Sequence, residues 1–129
     1  MNIVKGYIVG IEFTDTISQI KLNTEIGDFY CVVLENPDTA NYLKIDNTVN
    51  LIFKETDFVV CRDKIHPFNT FQGTVKSIFK GQLFTRVFIE NKGLQFSALI
   101  TNLEFDNLLI DIGSQIYFYI KPTNIILEV

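Results

Sequence analysis

Residues that bind metals or form disulfides are scarce in this sequence. Its 129 residues include two cysteines, one histidine and no tryptophan. Cys31 and Cys61 form no CxxC pair, and His66 cannot complete a four-ligand zinc site with only two thiols. We therefore expect no bound metal, and we predict that both cysteines are reduced strand residues of a cytoplasmic protein.

Basic clusters and long apolar runs are also missing. The 15 acidic residues outnumber the 11 basic ones, which gives a net charge of −4 and a pI near 4.9. Without a Lys/Arg cluster to replace phosphate counterions, we expect no nucleic-acid surface. No apolar run approaches the ~20 residues of a membrane helix, and residues 1–10 lack the apolar core of a signal peptide. We expect neither a membrane segment nor a secretion signal.

Catalytic motifs are absent as well. The serines lie in no nucleophile motif, the aspartates are scattered over turns and helix starts, and no glycine-rich phosphate loop is present. His66 has no evident Ser or Cys partner in the sequence. We therefore expect no enzymatic activity and no covalently bound cofactor.

Apolar and aromatic residues, by contrast, are plentiful. Hydrophobic residues make up 47% of the sequence and charged residues 20%, and there are 12 Phe and 5 Tyr. This composition is typical of a folded protein with a sizeable core. The length allows one domain or two very small ones.

An internal repeat becomes visible when the sequence is shifted by 67 residues without a gap. Apolar residues then coincide along the whole span, for example Ile8 with Val75 and Leu22 with Ile89. The pattern predicts a tandem duplication with units 1–62 and 69–129 and a linker at 63–68. Identical residues coincide at Asn2/Asn69, Gly6/Gly73, Ile11/Ile78, Phe29/Phe96, Ile45/Ile112, Lys54/Lys121 and Thr56/Thr123.

Each half shows the same predicted order of strands. A first strand (3–13 and 70–80) with alternating apolar positions is followed by a turn, a second strand, another turn and a third strand. The last strand region of each half follows a short helix, and Pro122 predicts a break or an edge in the second of these regions. Five short strands and a helical turn predict a mostly β protein with two tandem OB-like Greek-key β-barrels, each with one short helix.

Capping signals mark the two predicted helices. In "ENPDTANYL", Asn36 suits the N-cap and Pro37 the first helical position. In "TNLEFDNLL", Thr101 is followed three residues later by Glu104, which is the capping-box spacing. We therefore predict one short helix in each half.

The second half resembles the Mop, or TOBE, domain of molybdate-binding proteins. "NTFQGTV" fits the Asn-x-x-x-Gly-x-Val pattern near the start of that domain, "IT" precedes the helix, and "IKPT" fits its closing Ile-Lys-Ala-Ser/Thr. The first half fits more loosely, through "NIVKGYIVGI" and "FKETDF". A chain of two such units is similar to the tandem molbindins. The resemblance implies cytoplasmic binding, storage or sensing of molybdate or tungstate without catalysis, by a homo-oligomer in which a trimer of tandem units is favoured.

The resemblance also implies which residues bind the oxyanion, at interfaces between units or subunits. A tetrahedral dianion needs convergent hydrogen-bond donors with a cation nearby. Lysine and a hydroxyl two residues later match the closing element of each unit, and an asparagine matches its opening element. The candidate ligand-binding residues are Lys121, Thr123, Asn69 and His66, with Lys54, Thr56 and Asn2 in the equivalent site.

The opening element departs from the family pattern and leaves an alternative open. His66, Pro67 and Phe68 stand where the family has Ser, Ala and Arg, so a backbone donor and a guanidinium are missing. Glu55 beside Lys54 would oppose an anion. The alternative function is a degenerate TOBE module that has lost anion binding and serves protein–protein contact or regulation with a transporter or regulator. In that case both lysines lie on the surface with their stems over the barrel.

Overall fold

The computed structural model describes the whole chain, Met1–Val129, as ten β-strands, one α-helix and two short 3₁₀ turns. The helix α1 spans Asn102–Leu108, and the 3₁₀ turns span Glu55–Asp57 and Pro122–Asn124. The strands are β1 (Asn2–Phe13), β2 (Ser18–Thr24), β3 (Gly27–Val33), β4 (Thr48–Phe53), β5 (Phe58–Cys61), β6 (Thr70–Lys80), β7 (Phe84–Asn91), β8 (Leu94–Thr101), β9 (Gln115–Ile120) and β10 (Ile126–Glu128).

The internal repeat is confirmed at the level of individual elements. A shift of 67 residues carries β4 onto β9 and the first 3₁₀ turn onto the second with no change of bounds. The irregularities coincide as well. The register of β1 against β2 shifts between Ile8 and Gly10, and that of β6 against β7 shifts between Val75 and Ser77. The two halves therefore share their bulges as well as their strands.

The boundaries of the two compact units differ from those of the repeat. The β6 unit contains Met1–Asn2 and Lys54–Ile120, and the β1 unit contains Ile3–Phe53 and Lys121–Val129. β5 comes from the first half of the sequence but pairs with β9, and β10 comes from the second half but pairs with β4. The division at 63–68 stays a prediction about the sequence repeat. Each compact unit takes its final strand from the other half.

A 3₁₀ turn lies at each of the two places where the chain passes from one compact unit to the final strand of the other. A tight hairpin after β4 or β9 would return the chain to the same sheet, since two-residue turns join adjacent antiparallel strands. The 3₁₀ turns after β4 and β9 instead lead the chain into a different sheet. The local turn geometry therefore permits the exchange.

The β6 unit is a curled five-stranded sheet with the strand order β5-β9-β6-β7-β8. Alternate residues of these strands point inward, as the period of a half-buried strand requires. Its centre is aromatic: the ring of Phe118 lies 5.2 Å from Phe58, 5.3 Å from Phe96 and 5.7 Å from Phe71, measured between centroids. These rings supply much of the buried apolar area that stabilises so small a barrel.

The β1 unit has the equivalent strand order, β10-β4-β1-β2-β3. Its core is mainly aliphatic, with Phe29 and Phe53 at a centroid distance of 6.2 Å. Fully buried side chains around them include Ile8, Ile20, Leu22 and Leu51. The repeat therefore keeps the position of the core while its composition changes.

The glycines that coincide in the repeat lie where the first strand of each unit packs most closely. A Cβ on Gly73 would overlap the side chain of Ile89, and a Cβ on Gly6 would lie 3.0 Å from Leu51 Cδ1 and from Thr24 Cγ2. Neither position has room for a side chain. The shared glycine is explained by this close approach.

The helix predicted in the second half is confirmed, and the one predicted in the first half is wrong. Thr101 is the N-cap of α1, and its hydroxyl accepts from the Glu104 N–H in a complete capping box. Residues 35–43 form turns instead. Asn36 does cap them, because its Oδ1 accepts from the N–H groups of Asp38 and Thr39. The chain forms a single turn after Asn36 and does not continue as a helix. The Tyr42 hydroxyl instead donates to the Glu35 carboxylate.

The length of α1 limits what the helix can do. It contains seven residues, and no helix in the structure is long and apolar enough to cross a membrane.

Candidate functional site

Each 3₁₀ turn begins at one of the predicted lysines. Lys54 precedes Glu55–Asp57 with φ −78° and ψ 154°, and Lys121 precedes Pro122–Asn124 with φ −60° and ψ 134°. The Asp57 N–H donates to the Lys54 carbonyl at 3.0 Å, and the Asn124 N–H donates to the Lys121 carbonyl at 2.9 Å. We call these segments the first Lys-x-Thr turn (54–57) and the second Lys-x-Thr turn (121–124). Their backbones are equivalent.

Both turns expose a cation and a hydroxyl. Lys54, Thr56, Lys121 and Thr123 are all exposed. Neither lysine ammonium forms an ion pair or a side-chain hydrogen bond, since the four ion pairs of the chain use other cations. An unpaired ammonium beside a hydroxyl offers donors and positive charge to an anion.

The first Lys-x-Thr turn also contains a carboxylate that is already bound. Glu55 Oε2 accepts from Arg86 Nε at 3.0 Å. Burial would raise the pKa of Glu55. The hydrogen bonds from Ser97 and Arg86, with the positive charges of Arg86 and the chain terminus, outweigh that effect, so the pKa of Glu55 is lowered. The carboxylate is therefore ionised at neutral pH.

Asn2 lies beside the same carboxylate in the β6 unit. Its Nδ2 donates to the Ser97 carbonyl at 2.9 Å, and the Ser97 N–H donates to Asn2 Oδ1 at 2.8 Å. This pairing satisfies backbone groups on β8, the edge strand of its sheet. Asn2 and Glu55 line a shallow depression of about 270 Å³, completed by Met1, Phe88, Gln95, Phe96 and Ser97.

The second Lys-x-Thr turn lies in the β1 unit, against β3. It contains no acidic residue, because Pro122 and Asn124 take the places that Glu55 and Asp57 hold in the first turn. Its charge is that of Lys121 alone. The second turn therefore has the more favourable charge for an anion.

The two remaining candidates, Asn69 and His66, contact the end of β9. Asn69 is buried, with φ 54°, and its Nδ2 donates to the Ile120 carbonyl at 2.9 Å. The Ile120 N–H in turn donates to the Asn69 carbonyl at 3.1 Å. His66 is exposed and stacks on Tyr119 at a centroid distance of 3.9 Å. Both residues thus support the strand that ends immediately before Lys121.

The structure therefore brings together some of the predicted residues. Asn2 and the first Lys-x-Thr turn belong to one unit and meet around Glu55. Asn69 and His66 hold the last residues of β9, and the side-chain amides of Asn2 and Asn69 bond to main-chain groups. Lys121 and Thr123, which belong to the β1 unit, share one turn.

Sequence reasoning missed Arg86 and Ser97. Arg86 lies on β7 and Ser97 on β8, far in sequence from Glu55. The available signal was weak: a cation at an outward position of β7 and a small polar residue among the apolar residues of β8. Neither residue identifies its partner without the fold.

The cysteines are placed as expected, in strands. Cys31 is buried in β3 and Cys61 is half-buried in β5, and both are free thiols. Burial raises the pKa of Cys31 to about 12, and burial followed by the charge of Asp63 raises the pKa of Cys61. Both thiols are therefore poor nucleophiles at neutral pH. No group of His, Cys, Asp or Glu residues is arranged to hold a metal ion.

Comparison with known proteins finds a family match in the second half of the chain. Residues 67–127 match the family model of the TOBE domain. The match covers the motifs on which the resemblance was based, including the second Lys-x-Thr turn. The resemblance to Mop/TOBE proteins is thereby confirmed.

A solved structure shows the same fold over the whole chain. It is the cytoplasmic molybdate-binding protein ModG, in a crystal form with molybdate bound. The two chains superpose with a TM-score of 0.89 at 20% sequence identity, over 99% of this chain and 95% of ModG. Both repeats therefore have the predicted mostly β fold, with two OB-like barrels. No curated protein sequence matches the chain.

Proposed function

We propose that this protein binds a tetrahedral oxyanion, molybdate or tungstate, in the cytoplasm and stores or senses it without chemical change. The observation that carries the proposal is the second Lys-x-Thr turn. It places an unpaired ammonium and a hydroxyl on the surface with no acidic residue beside them. Its repetition one unit earlier supports a role beyond that of a solvated surface lysine.

The comparisons support the choice of ligand. ModG shares the fold of the entire chain and is described as a cytoplasmic molybdate-binding protein, with molybdate bound in its crystal. The match to the TOBE domain includes Lys121 and Thr123. We therefore propose molybdate as the first ligand to test and the cytoplasm as the compartment.

Binding of this kind requires only positioned donors. The lysine supplies a compact positive charge, and the threonine hydroxyl supplies a directed hydrogen bond. Because no covalent step is needed, release follows the free concentration of the anion. We propose no enzymatic activity.

We further propose that the working protein is a homo-oligomer, with a trimer of tandem chains as the favoured state, and that a second copy completes the anion site. The exposed large apolar side chains of the β6 unit include Phe79, Leu83, Phe84 and Leu103. Phe84 pairs with Thr101, and the Leu83 carbonyl accepts from the N–H of Asn102, so the last three lie close together. Exposed apolar clusters of this kind are typical of protein interfaces.

Thermal stability tests the function directly. The anions to test are molybdate, tungstate and sulfate. An anion that binds, at about 100 times its dissociation constant, should add about 2.7 kcal/mol per site to the free energy of unfolding. This corresponds to a rise in Tm of several degrees for a protein of this size. We expect molybdate and tungstate to raise Tm. Lys121→Ala should remove the shift and leave the apo protein folded.

Lys44→Ala is the matched control, because Lys44 is also an exposed lysine of the β1 unit without an ion pair. It should retain the full shift. A shift that survives in Lys121→Ala would show that the anion binds elsewhere.

A second candidate function is protein–protein contact by a TOBE module that no longer binds anions. It is favoured by the bonding of Asn2 and Asn69 to main-chain groups and by the carboxylate of Glu55 in the first turn. A Tm that does not respond to any of the three anions would support this candidate over the first.

A further inference from the structure

The carboxylate of the first Lys-x-Thr turn is already held by a cation of the β6 unit. Glu55 Oε2 lies 3.0 Å from Arg86 Nε, which is on β7. A guanidinium is a donor that binds oxyanions as well as carboxylates in proteins. The occupant in this protein is a side chain of the turn itself.

We propose that Glu55 is a specificity-determining residue that fills the first Lys-x-Thr turn with its own carboxylate, so that the chain takes up an oxyanion only at the second Lys-x-Thr turn. This inference rests on the proposed function. It concerns the number and location of the sites, which neither the TOBE match nor the shared fold assigns.

Burial and geometry favour a carboxylate that stays in place. The side chain of Glu55 is 24% exposed, whereas that of its partner Arg86 is 46% exposed. The turn packs against β8, the strand that carries Ser97. Asn2 pairs with the main chain of Ser97 in both directions and so holds that part of β8 in position.

Charge makes a second anion unfavourable at this turn. Glu55 neutralises Arg86, and Asp57 adds a further negative charge within the same turn, against the single charge of Lys54. An oxyanion dianion within a few ångströms of Glu55 would meet repulsion between like charges. With Glu55 balancing Arg86 and Asp57 balancing Lys54, these side chains leave no net positive charge to attract the dianion.

The equivalent positions of the other repeat lack the whole arrangement. Pro122 replaces Glu55, and the residue that corresponds to Arg86 after the shift of 67 is Gln19. The second turn thus has no internal carboxylate and no arginine for one to bind. Its ammonium and hydroxyl remain available.

The test measures molybdate uptake by the full-length chain at neutral pH, using equilibrium dialysis. We expect roughly one molybdate per chain for the wild type and for Glu12→Gln, the control for loss of one exposed carboxylate. Glu55→Gln removes the charge and keeps the shape, and Glu55→Ala removes the group. At least one of these two variants should take up roughly one further molybdate per chain.

Double variants separate this inference from the proposed function. Lys121→Ala should remove the uptake of the wild type, and Glu55→Ala combined with Lys121→Ala should restore uptake at the first turn only. If Lys54→Ala reduces the uptake of the wild type and Lys121→Ala does not, the inference is wrong. The proposed anion binding would still hold. Uptake that neither Glu55 variant changes would also overturn it. If neither the wild type nor any variant takes up molybdate, both the inference and the proposed function fail. Circular dichroism of each variant shows that it is folded.

Discussion

The two Lys-x-Thr turns have the same backbone but opposite charge. Lys54 and Lys121 start equivalent 3₁₀ turns after equivalent strands, yet the first turn carries Glu55 and Asp57 and the second carries no acid. The cores diverge in the same way, since four phenylalanines pack together in the β6 unit and aliphatic residues dominate in the β1 unit. A duplication can therefore preserve bulges, turns and strand order while one copy of a site changes its chemistry.

The largest effect should come from the matched core positions Phe118 and Leu51, which the repeat superposes and which are both fully buried. Phe118→Ala should reduce the free energy of unfolding by ~3–5 kcal/mol because it leaves a cavity among three other rings. Leu51→Ala should cost ~2–5 kcal/mol. Urea denaturation measures both. A larger loss for Leu51→Ala would contradict the view that the β6 unit depends more on its aromatic cluster.

The matched glycines should give an intermediate effect. Gly73→Ala places a Cβ against Ile89, and Gly6→Ala places one at 3.0 Å from Leu51 and Thr24. We expect each to destabilise the protein by ~1–3 kcal/mol, with the larger loss for Gly73→Ala, whose overlap is greater. Gly10→Ala is the control, since its nearest neighbour, Lys21 Cβ, lies at 3.5 Å. Equal stability of Gly73→Ala and Gly10→Ala would mean that the first strand adjusts easily.

The smallest effect should come from the charge of Glu55. Its pKa is lowered from 4.5 in the folded protein, so its ionised form contributes stability above pH 4.5, and that contribution is lost as the pH falls through the lower folded-state pKa. The pair with Arg86 is partly exposed, so Glu55→Gln should cost less than about 1 kcal/mol at pH 7. The difference from the wild type should disappear in strong acid. Urea denaturation at a series of pH values measures it. A stability difference between the wild type and Glu55→Gln that grows below pH 4.5 would contradict this prediction.

Local patterns in the sequence predicted most of the strands. Alternating apolar residues fixed the first strands of both halves to within about a residue of β1 and β6, and the capping box of Thr101 located α1. The helix expected after Asn36 failed because a cap permits a helix and does not extend it. After one turn, the chain bonds elsewhere: the N–H of Asp46, for example, donates to the Ile8 carbonyl.

The pairing of the final strands and the partners of Glu55 depended on the fold. A short apolar strand carries no local signal of which sheet it will join, so the exchange of β5 and β10 was not predicted. The position of Lys54 and Lys121 at equivalent turns did follow from the repeat. The ion pair of Arg86 with Glu55 did not, because it joins residues 31 positions apart on two different elements.

The exchange of final strands also limits how the protein can be shortened. A fragment that contained only one repeat would keep four strands of its sheet and lose the strand supplied by the other repeat. The bare edge of β4 or β9 would then present unpaired main-chain groups to any other chain in solution. Such a fragment would aggregate or recruit a second copy to cover that edge, so the covalent link between the repeats protects each sheet from association with the wrong partner.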